Sequence, residues 1–425
     1  MKFTYTLNRG VFIIMSTATS KLDQQTIELV KATVPILEER GDEITSRFYQ
    51  MMFQNHPELK NIFNQTNQRK GDQSKALANT VYAAAAHIDQ LEKISPAVMP
   101  ITEKHRSLNI KPEHYPIVGK HLLLAMRDVL GEEIATDAVI AAWEKAYNEI
   151  ANVFISIEGK MYEDIKANIG GWLDYRDFKV TKKVKESDVI TSFYLEPVDN
   201  NPFQAFKPGQ YITVKADNIP GESHTHLRQY SLSCAPNKGM YRISVKREDS
   251  IDGHPAGIVS NYLHTHIEEG SILPISAPAG DFFLDDRDER PLVLISGGVG
   301  LTPMMSMLET VVHKQPEREV IFIHATQNGK VHAMRDQVNA FAKKHCVQAY
   351  TLYDHPEKED NGHFDKAGFI DYEWLTSILS TNDVAAYFCG PKPFMQNIYR
   401  YLKDFNVAEE DIHFEFFGPA QEIAS

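Results

Sequence analysis

The sequence predicts a three-part protein: an all-α domain, then an antiparallel β-barrel, then an α/β domain on a parallel sheet. Residues 21–160 carry helical periodicity nearly throughout and show no convincing alternating strand. After Gly170-Gly171 the runs become short and β-branched or aromatic, as in FKVTKKV, ITSFYLEPV, QYITVKA and YRISVKRE, with turn signals between them. From Arg290 onward, PLVLIS, EVIFIHA, VQAYTLY and AAYFCG are apolar runs alternating with helical segments, the pattern of a parallel sheet flanked by helices. A chain of 425 residues has room for all three. The expected domains are 21–160, 172–286 and 290–425, with residues 1–20 an extension outside the fold and Met15 a natural start.

Charge and cysteine usage narrow the partners. Forty-four basic against 57 acidic residues leave a net −13, which argues against nucleic acid because phosphate backbones demand a basic face. The apolar run Val11 to Met15, like every other in the sequence, falls far short of the roughly 20 residues that span a bilayer. Cys234, Cys346 and Cys389 are far apart and odd in number, so they form neither a disulfide framework nor a zinc or redox pair. A monomer in a reducing, cytoplasmic compartment with small-molecule ligands is expected.

In the helical part, LDQQTIELVKATVPILEERG has apolar residues three and four apart and meets a C-cap-like glycine at Gly41. Further helices are expected at 42–54, 72–91, 94–108, 114–130 and 132–165, divided by His56-Pro57, Gly71, Lys111-Pro112 and Gly131. Val98, Ile101, His105 and Leu108 recur at helical spacing, which sets His105 in an apolar stripe. Gln73 shares a face with Leu77 and Val81, Tyr49 lies one turn from Met52 and Phe53, and Phe63 sits in the connection NIFNQ. A buried histidine bonded to a carbonyl is the plain structural alternative for His105, and core packing is that for the others. Of the competing histidines 56, 87, 114 and 121, His56 and His114 lie in or near turns beside prolines, and His87 closes an alanine run without the surrounding constellation.

Together these residues resemble the globin domain of bacterial and yeast flavohemoglobins. The resemblance implies that His105 is the proximal ligand of heme iron, that Phe63 and Leu77 shape the heme pocket, and that Tyr49 and Gln73 line the distal side. A phenol hydroxyl there can hydrogen-bond a ligand carrying partial negative charge. The family also places a tyrosine and a carboxylate behind the histidine, matched here by Tyr115 and Glu158. A carboxylate accepting the second imidazole N–H raises the ligand's basicity and favours O2 activation. Lys104, beside the ligand, occupies a position implied to tune redox balance.

In the barrel, LRQYSLS contains Arg228, Gln229, Tyr230 and Ser231, which resemble the RxYS motif of the ferredoxin–NADP reductase superfamily. On a strand, positions 228 and 230 share a face, so a guanidinium can meet a flavin diphosphate while a tyrosine packs on the ring. PGQY precedes it, with Tyr211 implied at the adenine side. GIVSNYLH follows, where Gly257, Val259 and Ser260 begin a second phosphate-contacting segment. Lys246 and Arg247 read equally as cofactor contacts or as a solvated strand end.

In the α/β part, LVLISGGVGLTPMMSML runs from a buried strand through a glycine turn into a helix, a device that aims backbone N–H groups at a phosphate. Gly298, Val299, Gly300, Leu301, Thr302 and Pro303 form this nucleotide loop, and Cys389, Gly390 and Pro391 of FCGP match the superfamily's second nucleotide motif. In the terminal FEFFGP, the resemblance implies that Glu415 tunes the flavin, that Phe416 or Phe417 covers its ring, and that Phe416, Phe417, Gly418 and Pro419 belong to the FAD site. No Arg/Lys cluster follows HATQNGKVH, which leans toward NADH over NADPH.

The three parts in order resemble a complete flavohemoglobin, which implies heme b, FAD and NADH or NADPH as cofactors and nitric oxide and O2 as substrates. The implied activity is nitric oxide dioxygenation to nitrate, with hydride passed to FAD, single electrons to heme, and oxygen bound at ferrous iron. The rival readings are a gas-binding redox sensor and a diaphorase that reduces quinones, ferric chelates or peroxides.

Overall fold

The computed structural model describes residues 22–64, 71–236, 238–250 and 255–418. The expected extension at 1–20 and Pro419 of the expected FAD site lie outside the described residues. Helix α1 (Gln24–Ala32) starts where the Asp23 carboxylate accepts the Thr26 N–H at 2.8 Å, and α2 (Val34–Asn55) starts with proline in its first turn. The expected stop at Gly41 does not occur, because α2 runs straight through it. A Cβ at Gly41 would stand 3.3 Å from the Ala78 Cβ of α3 (Asp72–Ala86), so the glycine lets two helices approach rather than ending one.

The helix expected over 72–91 ends at Ala86, and a short 3-10 turn at Leu91–Ile94 leads into α4 (Ser95–Ser107). Helix α5 (His114–Ile134) is interrupted at Gly131, whose φ of 72° is left-handed. The next helix therefore begins later than residue 132. Thr136 caps it by accepting the Val139 N–H at 3.3 Å, and α6 continues over Asp137–Ala167. Phe48, Met52, Met126 and Trp143 fill the middle of this bundle.

The second part is a six-stranded antiparallel sheet of β1 (Arg176–Lys185), β2 (Ile190–Pro197), β3 (Tyr211–Ala216), β4 (His226–Ser231), β5 (Tyr241–Lys246) and β6 (Ile272–Ile275). Its order is β4-β3-β6-β1-β2-β5. This is the expected small antiparallel barrel, and among the described residues its two edges meet through one bridge, Leu232 to Ile243. Helix α7 (Ile258–His266) covers the sheet with Val259 and Leu263.

The third part is a second six-stranded sheet, parallel throughout: β7 (Leu292–Gly297), β8 (Val320–Thr326), β9 (Val347–Tyr353), β10 (Lys366–Ala367), β11 (Ala385–Cys389) and β12 (Ile412–Glu415). The order is β10-β9-β8-β7-β11-β12. Every residue of β7 is buried, as expected for a central strand covered on both faces by helices. These helices are α8 (Leu301–Lys314), α9 (Arg335–Ala342), α10 (Tyr372–Ile378) and α11 (Lys392–Asp404). No described helix is long and apolar enough to cross a membrane.

The second and third parts are pinned together at Glu309 of α8, which is 1 % exposed. Its carboxylate accepts from Arg242 at 2.8 Å, from Lys238 at 3.0 Å and from the Ala235 N–H at 3.0 Å. A buried carboxylate is tolerated where charged partners and an N–H meet both of its oxygens, and together they hold its pKa below the usual range.

Candidate functional site

One continuous cleft of about 2830 Å³ runs from the helical bundle across β4 to the parallel sheet. Pockets for a single small ligand are roughly 300–1,000 Å³, so this space suits several large groups. At the bundle end, His105 lies in the last turn of α4. Its Nδ1 is 2.8 Å from Glu158 Oε1 on α6 and 3.2 Å from the Tyr115 hydroxyl on α5. Tyr115 in turn donates to the same carboxylate oxygen at 2.7 Å. Glu158 is 3 % exposed and lies behind the cleft, whereas His105 and Tyr115 line it. With Nδ1 engaged, Nε2 is the nitrogen left for the cleft, in the tautomer a metal ligand needs. Burial and the neighbouring carboxylate push the Tyr115 phenol far above its ordinary range, so it stays a hydrogen-bond donor.

Tyr49, Phe63, Gln73 and Leu77 line the same end, the two rings meeting edge to face at 5.7 Å between centroids. His87 and His114 also line the cleft, but neither has a buried carboxylate on its ring. His114 Nδ1 accepts the Lys111 N–H at 3.1 Å. His56 and His121 pack on each other at 5.2 Å.

At the middle, Arg228, Gln229, Tyr230, Ser231, Gly257, Val259 and Ser260 all line the cleft, as do Phe416, Phe417 and Gly418. Strand β4 and the start of α7 thus present one continuous shelf. Arg228 donates to the Leu227 carbonyl at 2.8 Å. Tyr211 also lines this cleft. Its ring sits against Gly280, and its electrostatic neighbours are Glu103, Arg106, Ser107 and Glu415, which place it by the bundle. Lys246 and Arg247 are bound to Glu248 and Asp249, as in a solvated strand end, although Lys246 does reach the cleft.

Glu415, the last residue of β12, has one buried carboxylate oxygen without a hydrogen-bond partner. Removal from water and the nearby Asp281 push its pKa up to about 8, opposed by Lys104. Asp281 itself is raised to about 6 by burial. Burial lowers the Lys104 pKa, and Glu415 opposes that shift. An orphaned carboxyl oxygen facing the shelf is the kind of group that a bound polar ring satisfies.

Of the expected nucleotide-loop residues only Val299 and Thr302 line the cleft, while Gly298, Gly300, Cys389, Gly390 and Pro391 form a backbone packing beside it. Gly298 has a φ of +54°, and a Cβ on Gly300 would lie 2.1 Å from the Cys389 carbonyl oxygen. The loop after β7 therefore packs directly on the loop after β11 only because side chains are missing. Leu301 and Pro303 are buried in α8, so their side chains belong to the core. Cys389 is fully buried and pairs in register with Glu415 across the parallel strands, while Gly390 and Pro391 carry the chain into α11. The sequence reading missed Glu103, Arg106 and Asp281, of which the only trace was a pair of opposite charges flanking His105 and a glycine turn at Ala279-Gly280-Asp281.

The globin family profile matches residues 46–154, and the oxidoreductase NAD-binding domain profile matches 294–400. A flavohemoprotein of Oceanobacillus iheyensis is 61 % identical over 411 residues, covering 96 % of this chain and 100 % of the relative. This chain belongs to the flavohemoprotein family. The flavohemoprotein of Bacillus subtilis is 51 % identical over 406 residues, 95 % of this chain and 99 % of that one. Among solved structures, the Malassezia yamatoensis flavohemoglobin with bound FAD and heme superposes with a TM-score of 0.80 at 28 % identity, covering 93 % of this flavohemoprotein and all of the other. The FAD/NAD-binding domain of nitric oxide dioxygenase from Vibrio cholerae covers 58 % of this chain and all of its own, with 36 % identity and a TM-score of 0.53. The chain is thus a globin fused to a flavin and nicotinamide oxidoreductase module.

Proposed function

We propose that this flavohemoprotein is a nitric oxide dioxygenase, converting nitric oxide and O2 to nitrate at the expense of NADH or NADPH. The carrying observation is the triad of His105, Glu158 and Tyr115 at one end of a cleft whose other end is a nicotinamide oxidoreductase. A bare gas carrier needs neither the carboxylate nor the reductase. Heme b would be held through His105 Nε2, FAD along β4 and the start of α7, and the dinucleotide at the loop after β7; these groups supply iron for O2, a splitter of hydride into single electrons, and the hydride.

The chain's own residues do the rest. Glu158 accepts the Nδ1 proton and gives the imidazole anionic character, while Tyr115 holds that carboxylate at a fixed angle. Tyr49 and Gln73 offer polar groups on a wall otherwise made of Phe63 and Leu77, where a donor stabilises partial negative charge on a bound ligand. Arg228 neutralises diphosphate, Tyr230 and Ser231 hold the flavin ring, and Phe416 and Phe417 exclude water from its face. Glu415, with its raised pKa, holds a proton near neutrality beside that face.

The test is nitric oxide loss at an electrode, using cofactor-loaded protein and NADH, with nitrate measured afterwards. Fast loss that needs both O2 and NADH and yields nitrate supports the proposal. Nitric oxide that persists while NADH is consumed overturns it in favour of a diaphorase.

A further inference from the structure

We propose that Glu103 and Arg106 are positioning residues that lock the histidine-bearing helix to the flavin loop, and so set how fast electrons pass from the flavin end of the cleft to the heme end. This rests on the assignment of heme to His105 and FAD to β4. The last turn of α4 faces two ways at once. His105 turns back into the bundle toward Glu158, whereas Glu103 and Arg106 reach across to residues 278–280 of the second part. Glu103 Oε2 accepts the Gly280 N–H at 3.0 Å and also accepts from Arg106 Nη2 at 2.5 Å. That same guanidinium nitrogen donates to the Pro278 carbonyl at 2.9 Å.

The loop is held from its other side as well. Gln210 donates to the Gly280 carbonyl at 3.0 Å, and a Cβ at Gly280 would press on the Tyr211 ring at 2.9 Å. Glu103 and Arg106 are only 15 % and 6 % exposed at their side chains. A buried ion pair of this kind adds little stability over an apolar pair of equal volume, but it fixes one register between the surfaces it joins. Here the register is between the helix that carries His105 and the loop whose Gly280 and Asp281 line the cleft, with Asp281 near Glu415. Glu103 is two residues from His105 on a rigid helix, so a shift of the clamp moves the ligand with it.

The experiment mixes cofactor-loaded protein with NADH under anaerobic carbon monoxide and follows flavin bleaching and the ferrous–CO band separately. In Glu103→Ala, flavin bleaching by NADH is expected at the wild-type rate, while the heme phase slows about 10- to 100-fold. Glu103→Gln, which still accepts the Gly280 N–H, is expected to recover most of that loss. Amide exchange at Gly280 should accelerate in Glu103→Ala and stay slow in Glu103→Gln, a readout that needs no turnover and remains available if the alanine variant loads heme poorly. An unchanged heme phase in Glu103→Ala, or Gly280 protection indifferent to both substitutions, overturns the proposal. Nitrate is not measured, so a failure of the dioxygenase reading leaves these results intact. A wild type whose heme is never reduced by NADH overturns both.

Discussion

The two ends of the cleft are built from different materials. At the bundle end, side chains from separate helices converge: His105 from α4, Tyr115 from α5 and Glu158 from α6 meet through two hydrogen bonds to one carboxylate oxygen. At the parallel-sheet end, the decisive feature is missing side chains, with Gly300 lying where a Cβ would strike the Cys389 carbonyl at 2.1 Å. Removing a functional group should therefore break the first end and leave its fold intact. Adding a single methyl should break the second.

The largest expected effect is His105→Ala. Heme is lost, or is retained weakly and restored by added imidazole, while NADH still bleaches the flavin; absorption spectra before and after imidazole check both halves. An unchanged Soret band would move the ligand elsewhere. Next, Gly300→Ala should cost about 1–3 kcal/mol through overpacking and slow flavin reduction by NADH, with heme spectra untouched. Thermal melts and stopped-flow reduction decide it, and a variant with wild-type flavin reduction would contradict the backbone account.

Glu158→Gln keeps shape and weakens charge, so heme should remain while nitric oxide turnover falls about 10- to 100-fold. The iron–histidine stretching frequency should drop with it. If turnover falls without that drop, Glu158 acts by some route other than the imidazole.

The smallest effect concerns acid. His324 of β8 is buried, and burial drops its pKa to about 4 from 6.5. His332, whose ring centroid is 4.6 Å away, is lowered as well. Both stay neutral in the fold but take up protons when unfolded near pH 5, so the unfolded state binds more protons there. Their contribution to stability is full above pH 6.5 and is lost as pH falls toward 4. His324 steepens that loss by about 1 kcal/mol per pH unit, and His332 acts in the same direction. Melts across this range should show the parallel-sheet part failing before the bundle, and His324→Gln should flatten the slope.

The same contrast explains what could be read in advance. His105 was legible because a helical stripe and the family pattern agreed on one residue. Glu158, 53 positions away, has no periodic signal linking it to His105, and only the resemblance joined them. The glycine loop after β7 was legible as a strand-turn-helix device, yet Leu301 and Pro303 within it turned out to be core, because pattern marks a segment and not which atoms face the ligand. Gly41 misled for a similar reason. A glycine that admits a neighbouring helix looks the same in sequence as one that ends a helix. The clamp from Glu103 to Gly280 spans 177 positions and two domains, and nothing local announces it. The bridge between the barrel's two edges likewise depends on how distant edges meet, which alternation along single strands does not encode.

The central claim is that one cleft carries electrons from its backbone-built end to its side-chain-built end. An anaerobic titration of cofactor-loaded protein with NADH, followed by optical spectra, tests it most directly. Three electrons fill one flavin and one heme, so both should be fully reduced at about one and a half equivalents of NADH, with no added mediator. A flavin that bleaches fully while the heme stays ferric in excess NADH would contradict the account.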